Sequence, residues 1–431
     1  MIDYIFDPLY GKYTPPELIK RLILTPEFQR LREVRLSNIN SMSLIGWSNQ
    51  SRYEHSLGVA YLANLSAQAL CLDEIDACHL VVAGLLHDIA TPPFSHTTEQ
   101  LFKSFGEYSH EKNSRIIIEG LVDTRDASLG RFSQFFCERE IEVHKILKEF
   151  KVGGKHLSPS LISDLVQGKT TVGSLIKKDL DLDNLDSVYR NAYHIGLHFS
   201  REDPKLISQS YMLEGQKLGF KRNSRNLINK WISLRKNLYL ELMTNPMDFS
   251  SKCMLNYALE KAYKMGHVKE TDWHKTDNEM LTKLEEVTEI KDIIHRLRVG
   301  ALFTVVGIFW IRDRKTIESI TTREGSEKLD QDLKRVLGVG FHVFWILDDG
   351  KLSRKVSLDV YPDVEFPYTQ AILEPNVLGS HSYGLLIGVF SESYSKGIEA
   401  RAKVRKVLEN LLGCSVALVK EKYAASLESY F

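Results

Sequence analysis

Cysteine is scarce in this 431-residue chain. The five present, Cys71, Cys78, Cys137, Cys253 and Cys414, are odd in number and form no C-x-x-C pair. That excludes a disulfide framework and a thiolate zinc cluster, and it reads as reduced thiols in a cytoplasmic protein. Long apolar runs are missing too: nothing approaches the ~18 residues of a membrane-spanning helix. The opening residues, Met1-Ile-Asp-Tyr-Ile-Phe-Asp7, lack the basic-then-apolar order of a secretion signal. There is no excess of either charge. Lys plus Arg and Asp plus Glu each count 56, so no overall field draws the chain to duplex nucleic acid or an anionic membrane. A local basic pocket, or a groove for a short strand, stays compatible with that balance. Internal repeats and low-complexity segments are absent. What is plentiful builds cores: 43% of the residues are hydrophobic and 10% aromatic, and the length exceeds one ordinary domain.

The pattern divides the chain near residue 300. Residues 1–300 read as an almost entirely helical body, and residues 301–431 as a smaller α+β region, so the fold class is mainly α. Thr25-Pro26 has the form of an N-cap with proline in the first turn. Leu57, Tyr61, Leu65 and Ala69 recur at helical spacing. His79 to Ala90 is nearly all apolar, a buried helix that Pro92-Pro93 must stop. Further helices are expected over about 97–105, 110–121, 138–150, 159–167, 183–195, 224–243, 249–264 and 276–297. Beyond 300, the β-branched and aromatic run Ala301–Ile311 predicts a strand. Phe341–Leu347 and a run to about Tyr361, parted by Asp348-Asp349-Gly350, predict a hairpin. Leu385–Phe390 predicts another strand and Ile398–Leu412 a basic amphipathic helix.

Five of the fourteen histidines fall between residues 55 and 110: His55, His79, His87, His96 and His110. Leu85-Leu86-His87-Asp88-Ile89 puts two polar, metal-competent side chains into an apolar helix. An unpartnered buried Asp costs several kcal/mol. A metal ion would supply the missing positive charge, and so would a plain His–Asp hydrogen bond at a helix end. Arg52-Tyr-Glu-His55 opens the preceding helix. In Asp181–His194, Leu182, Leu185, Val188 and Tyr189 form one stripe, while Asp183, Asp186, Arg190 and His194 share another face. That second face fits either a site or a solvated helix surface.

Together His55, His87, Asp88 and Asp183 make the pattern H…HD…D, and the sequence resembles the HD phosphohydrolase superfamily. Arg52-Tyr-Glu-His-Ser-Leu-Gly58 is similar to the RFEHSLGV helix of the dNTP triphosphohydrolase (dGTPase-like) branch. Gly84–His96 is similar to its LLHDxGHxPFSH segment, and Asp181-Leu-Asp-Asn-Leu-Asp186 to its IDxDKxDY segment. The likeness runs from about residue 5 to 300 and thins over the last 130. It implies that His55, His87, Asp88 and Asp183 hold a divalent metal ion, with Fe, Mn, Ni, Zn and Mg all compatible. It implies acid–base work for His96, oriented by Glu99, with His110 as a further active-site histidine. Arg52 would contact phosphate, and Asp186, Asn191 and Tyr239 would border the substrate. For Tyr239, core packing is the competing use.

Several positions depart from the branch. Thr91 replaces a second histidine, Leu36 stands near a nucleoside-reading glutamine, and Asn184 replaces a lysine. Asn191 replaces an aspartate, and Trp231 stands where an arginine is expected, beside Lys230. The implied activity is a metal-dependent nucleotide phosphohydrolase yielding deoxynucleoside and triphosphate. The altered shell leaves two alternatives: another phosphoester, including a phosphomonoester, phosphodiester, modified nucleotide or single-stranded nucleic-acid end, or a non-catalytic nucleotide sensor. The dense basic stretch from Lys221 to Lys236 fits a strand-binding groove or a solvated helix face. The resemblance also implies a homo-oligomer, with residues 301–431 as an oligomerisation or regulatory unit.

Overall fold

A computed structural model describes residues 2–36, 39, 43–106, 108–121, 142–178, 180–215, 217–361 and 374–419. The expected loop at 121–137, the start of the helix expected from 138, and Cys137 therefore lie almost wholly outside the described residues. The fold is mainly α, with small sheets set against a helical body.

The helix Arg52–Ala69 occupies the middle of the body. Ser51 caps it by accepting the N–H of Glu54. Its residues from His55 to Ala60 are all buried, so it is enclosed rather than amphipathic. It packs against Glu74–Leu86 and Leu182–His194. Gly84 allows the first approach, since a Cβ there would sit 3.2 Å from the Ala63 Cβ. Asp181 caps the Leu182–His194 helix by accepting the N–H of Asn184 at 2.7 Å.

The Glu74–Leu86 helix ends at Leu86, with His87 as its C-cap, well before Pro92-Pro93. A set of turns carries the chain from His87 to the prolines, so the stop is not the prolines' doing. The helix expected over 276–297 is two, Asp277–Glu285 and Lys291–Arg298. The expected hairpin at 341–361 does not form. Phe341–Asp349 pairs with Tyr383–Ser391, while Val356–Tyr361 pairs with Glu374–Leu378 and, in parallel, with Lys217–Lys221. The Asp348 carboxylate accepts the N–H groups of Lys351 and Leu352 and the Ser382 hydroxyl. Those bonds turn the chain out of one sheet and towards the other.

The second four-stranded sheet runs in the order Ala417–Leu418, Thr304–Ile311, Tyr383–Ser391, Phe341–Asp349, antiparallel throughout. Both of its faces are buried, which accounts for the unbroken apolar run Leu385–Phe390. Leu385, Ile387 and Val389 pack with Leu333, Val404 and Leu408 of the helices Arg323–Leu337 and Tyr394–Leu412. Leu386 and Phe390 face the main core of the body. There Phe249, on the helix Pro246–Lys264, lies against Gly388, where any Cβ would meet its ring at 2.4 Å. Its ring centroid is 5.7 Å from those of Phe344 and Phe390. The composition changes at residue 300, but the main core continues across it.

Candidate metal centre and active site

Three helices bring the site together. His55 comes from the first turn of Arg52–Ala69, His87 and Asp88 from the end of Glu74–Leu86, and Asp183 from the first turn of Leu182–His194. Donor atoms of His55, His87 and Asp183 lie within 4.8 Å of one another. His55 Nε2 is 3.3 Å from His87 Nε2 and 3.0 Å from Asp183 Oδ1. Asp88 Oδ2 lies 3.4 Å from His87 Nε2 and 3.7 Å from His55 Nε2. The four residues thus point their donors at one small volume. His55, His87 and Asp88 are buried, and Asp183 is partly open to the cavity in front.

Neighbouring groups fix each donor. His87 Nδ1 lies 2.8 Å from the Gly84 carbonyl, so it donates there and leaves Nε2 to face the cluster. His55 Nδ1 lies 2.7 Å from Asp186 Oδ2. Burial would lower the His55 imidazole, but hydrogen bonds and charge from Asp183 and Asp186 prevail and raise it to about 9. Burial would likewise raise Asp88. Arg52, whose Nη1 donates to Asp88 Oδ2 at 2.6 Å, and the two imidazoles hold it well below the ordinary carboxylate range. Two imidazole nitrogens with two carboxylates, of which His55, His87 and Asp88 are each backed by a second partner, suit a divalent ion.

Asp186 was expected beside the substrate and is found behind the cluster instead. It is fully buried and accepts from Tyr10 Oη at 2.7 Å and from Arg190 Nε at 2.8 Å as well as meeting His55. Arg190 also donates to Asp7 Oδ2 at 3.0 Å and Glu54 Oε1 at 2.7 Å. One buried guanidinium thereby anchors three acids and the N-terminal hairpin Ile5–Tyr13, so this helix face is not solvated. Asp7, Tyr10 and Glu54 gave no sign of this in the sequence, where they are an isolated acid, an aromatic among turn residues and an ordinary helix acid.

In front of the cluster a cavity of about 1060 Å³ opens. Arg52, Asp88, His96, His110, Asp183, Asn191 and Tyr239 all line it. Glu99 is buried beside it, with Oε1 2.7 Å from His110 Nδ1 and Oε2 3.2 Å from His96 Nδ1. One carboxylate therefore orients both imidazoles. Burial would lower His110, but the Glu99 carboxylate outweighs it and raises it. The His96 side chain is 72% exposed and free to meet a ligand. Arg52 also donates from Nε to Ser95 Oγ at 3.0 Å, which sets its plane at the cavity wall. Asn191 Nδ2 donates to the Ser187 carbonyl at 2.7 Å, and its Oδ1 is buried without a partner.

The departing positions also have definite places. The Thr91 hydroxyl donates to Asp88 Oδ1 at 2.9 Å, bracing a cluster acid rather than facing a ligand. Asn184 lines the cavity between Asp181 and Arg354. Trp231 is fully buried in the core and puts no charge into the cavity. Another part of the wall comes from residues 342–347 and from side chains between Thr321 and Gln331, none of which the sequence marked as part of a site.

Residues 52–127 match the family model described as HD domain. The match begins at Arg52 and takes in His55, His87, Asp88, His96, Glu99 and His110. An uncharacterized protein of Bacillus subtilis, YwfO, is 26% identical over 254 residues, covering 58% of this chain and 53% of its own. The human deoxynucleoside triphosphate triphosphohydrolase SAMHD1 is 28% identical over 236 residues, covering 49% of this chain and 36% of its own. Its Dictyostelium discoideum homolog is 22% identical over 354 residues, covering 77% and 64%. The chain thus spans about half the length of the bacterial relative and about a third of the human one. Among the described residues no helix is long and apolar enough to cross a membrane.

Proposed function

We propose that the protein is a metal-dependent nucleotide phosphohydrolase acting as a dNTP triphosphohydrolase, converting dNTP and water to deoxynucleoside and triphosphate. The observation that carries the reading is the convergence of four buried or half-buried donors on one point of a cavity wall flanked by Arg52 and the Glu99-oriented imidazoles. His55, His87, Asp88 and Asp183 hold the ion. When bound, it supplies Lewis acidity to phosphate oxygens and to the attacking water.

The chain's own residues do the rest. Arg52, with Nε held by Ser95 and Nη1 by Asp88, offers its Nη2 to phosphate while it keeps Asp88 ionised. Glu99 presents His96 as the group to protonate the leaving oxygen, and favours the charged form of His110 beside the phosphate path. Tyr239 provides a flat wall for sugar or base, Asn191 a polar contact, and Asp186 fixes His55 from behind. Residues 1–300 supply this chemistry, and residues 301–431 close the far side of the cavity.

Thr91 and Trp231 favour one second reading, hydrolysis of a different phosphoester at the same centre. Neither places a cation near a triphosphate, and Thr91 is already spent on Asp88. The test is metal analysis followed by a panel of dNTPs, NTPs and other phosphoesters with Mn, Fe or Mg. Tripolyphosphate release from dNTPs is the expected result. Orthophosphate or nucleotide release from other substrates alone replaces it with the second reading. His87→Ala and Asp183→Ala are each expected to abolish turnover while the melting curve stays cooperative. Full activity in either would sink the metal assignment.

A further inference from the structure

The cavity has a second cluster of cations, contributed by other elements. Lys252 comes from the helix Pro246–Lys264, and Lys351 from the turn after the strand Phe341–Asp349. Both line the cavity. Arg235 lies behind them, with Nη1 donating to the carbonyls of Gly350 and Lys351. That donation fixes the turn carrying Lys351.

Anions here are already engaged. Asp348 Oδ1 serves the N–H groups of Lys351 and Leu352 and the Ser382 hydroxyl. Asp349 pairs with His381 at 2.6 Å, and Asp248 with Lys252 at 2.5 Å. Among the described residues, the Lys351 ammonium has no ion pair. Burial and the nearby charge of Lys252 push it down to about 8, against the pull of Asp348. Lys351 therefore lines the cavity as an ammonium that no described carboxylate contacts, and an incoming anion would supply that contact.

Flat surfaces flank the cluster. The Lys252 ammonium lies 5.2 Å from the Trp47 ring centroid, and the Arg235 guanidinium 4.6 Å from that of Tyr239. Trp47 and Tyr239 line the same cavity. The His96, Glu99 and His110 group comes from the helices His96–Phe105 and His110–Glu119, so the two groups are separately built. A cavity of about 1060 Å³ has room to engage both at once.

We propose that Lys252 and Lys351, backed by Arg235, form a second anion subsite, and that it takes a phosphate group of the substrate other than the one at the metal cluster. The substrate class is then a nucleotide carrying phosphate at two separate positions, which goes beyond a dNTP and belongs with the second reading, a different phosphoester at the same centre. Lysine suits that role as a point charge that needs no fixed fork geometry. The inference rests on the nucleotide phosphohydrolase reading for its choice of ligand, and its test has a readout apart from turnover.

Calorimetric titration of the full-length, manganese-loaded protein compares deoxyadenosine 5′-monophosphate with deoxyadenosine 3′,5′-bisphosphate. The bisphosphate is expected to bind about tenfold tighter or more, as a charge-assisted contact in a partly desolvated site would give. Lys351→Met should erase that preference at an unchanged melting temperature, and Lys351→Arg should retain most of it. Equal affinities in the wild type, or a preference that persists in Lys351→Met, overturn the subsite. A preference without turnover on the substrate panel keeps the subsite and defeats the hydrolase reading. Turnover without a preference does the reverse.

Discussion

Asp186 shows how a single buried side chain sets the character of a site it does not face. Its two oxygens are divided among His55, Arg190 and Tyr10. It orients the imidazole, raises its basicity and helps neutralise a guanidinium. Asp186→Asn should keep the shape and lose the charge. We expect metal affinity to fall about 10–100-fold, read by titration with a chelator competitor, with the far-ultraviolet dichroism unchanged. Unaltered affinity would leave Asp186 a structural ion-pair partner only. Glu27 is a second case, outside the site. One of its oxygens accepts the N–H of Glu142, the other is buried without a partner, and burial pushes the carboxyl up to about 7. A carboxyl raised from 4.5 on folding contributes stability below about pH 4.5 that is lost as pH rises to about 7. Glu27→Gln keeps an acceptor and removes the titration. It should flatten the stability profile over that window and be more stable at pH 8, by about 3 kcal/mol at most, measured by denaturant melts across pH.

At the scale of elements, the site depends on how closely two helices approach. Gly58 lies on the Arg52–Ala69 helix, and a Cβ there would meet Asp186 Oδ1 at 2.0 Å and Arg190 Nη2 at 2.3 Å. Those side chains are locked in a buried network and have nowhere to move. Gly58→Ala should therefore cost about 2–4 kcal/mol and reduce metal content, although alanine favours a helix. A melting temperature equal to or above that of the wild type would show that the helices can part cheaply. The sequence displayed this region well where the signal was local. His87 and Asp88 stood out because polar groups interrupt an apolar helix, His55 and Asp183 only through the resemblance, and most body helices follow from their spacing. It displayed the rest poorly where the cause was distant. Nothing local says that Asp7 reaches Arg190, or that Phe341–Asp349 pairs with Tyr383–Ser391 rather than with its neighbour in the chain. The Asp-Asp-Gly turn is a hairpin signal, and here long-range sheet pairing overrides it.

For the molecule as a whole, the tail is part of the same packed body. Phe344, Leu386 and Phe390 meet the core around Phe249, and Lys217–Lys221 is extended by a strand from beyond residue 350. A chain ending at residue 300 would bare that apolar surface and lose about a third of the cavity lining. We expect it to bind a hydrophobic dye and to lose the cooperative melt shown by the full chain. A cooperative melt with metal still bound would make residues 1–300 a unit able to fold alone. The cavity also explains why the tail escaped notice as a functional region. Its contribution is a strand wall including Val343, Phe344, Trp345 and Ile346, residue types that strand interiors use everywhere, with polar helix residues such as Arg323, Glu327 and Asp330 that resemble an ordinary solvated face.

The anchoring of the N-terminal hairpin has a consequence for the order of synthesis. Tyr10 and Asp186 are 176 residues apart, and Asp7 and Arg190 are 183. At about 5–20 residues per second, Asp7 and Tyr10 wait roughly ten to forty seconds for their partners to be made. Through that interval His55, His87 and Asp88 exist without Asp183 or the brace behind His55. The four-donor cluster with its brace is complete only after the ribosome has passed Arg190. The hairpin Ile5–Tyr13, made long before its partners, is thus among the last elements to lock, and it closes the cluster from behind.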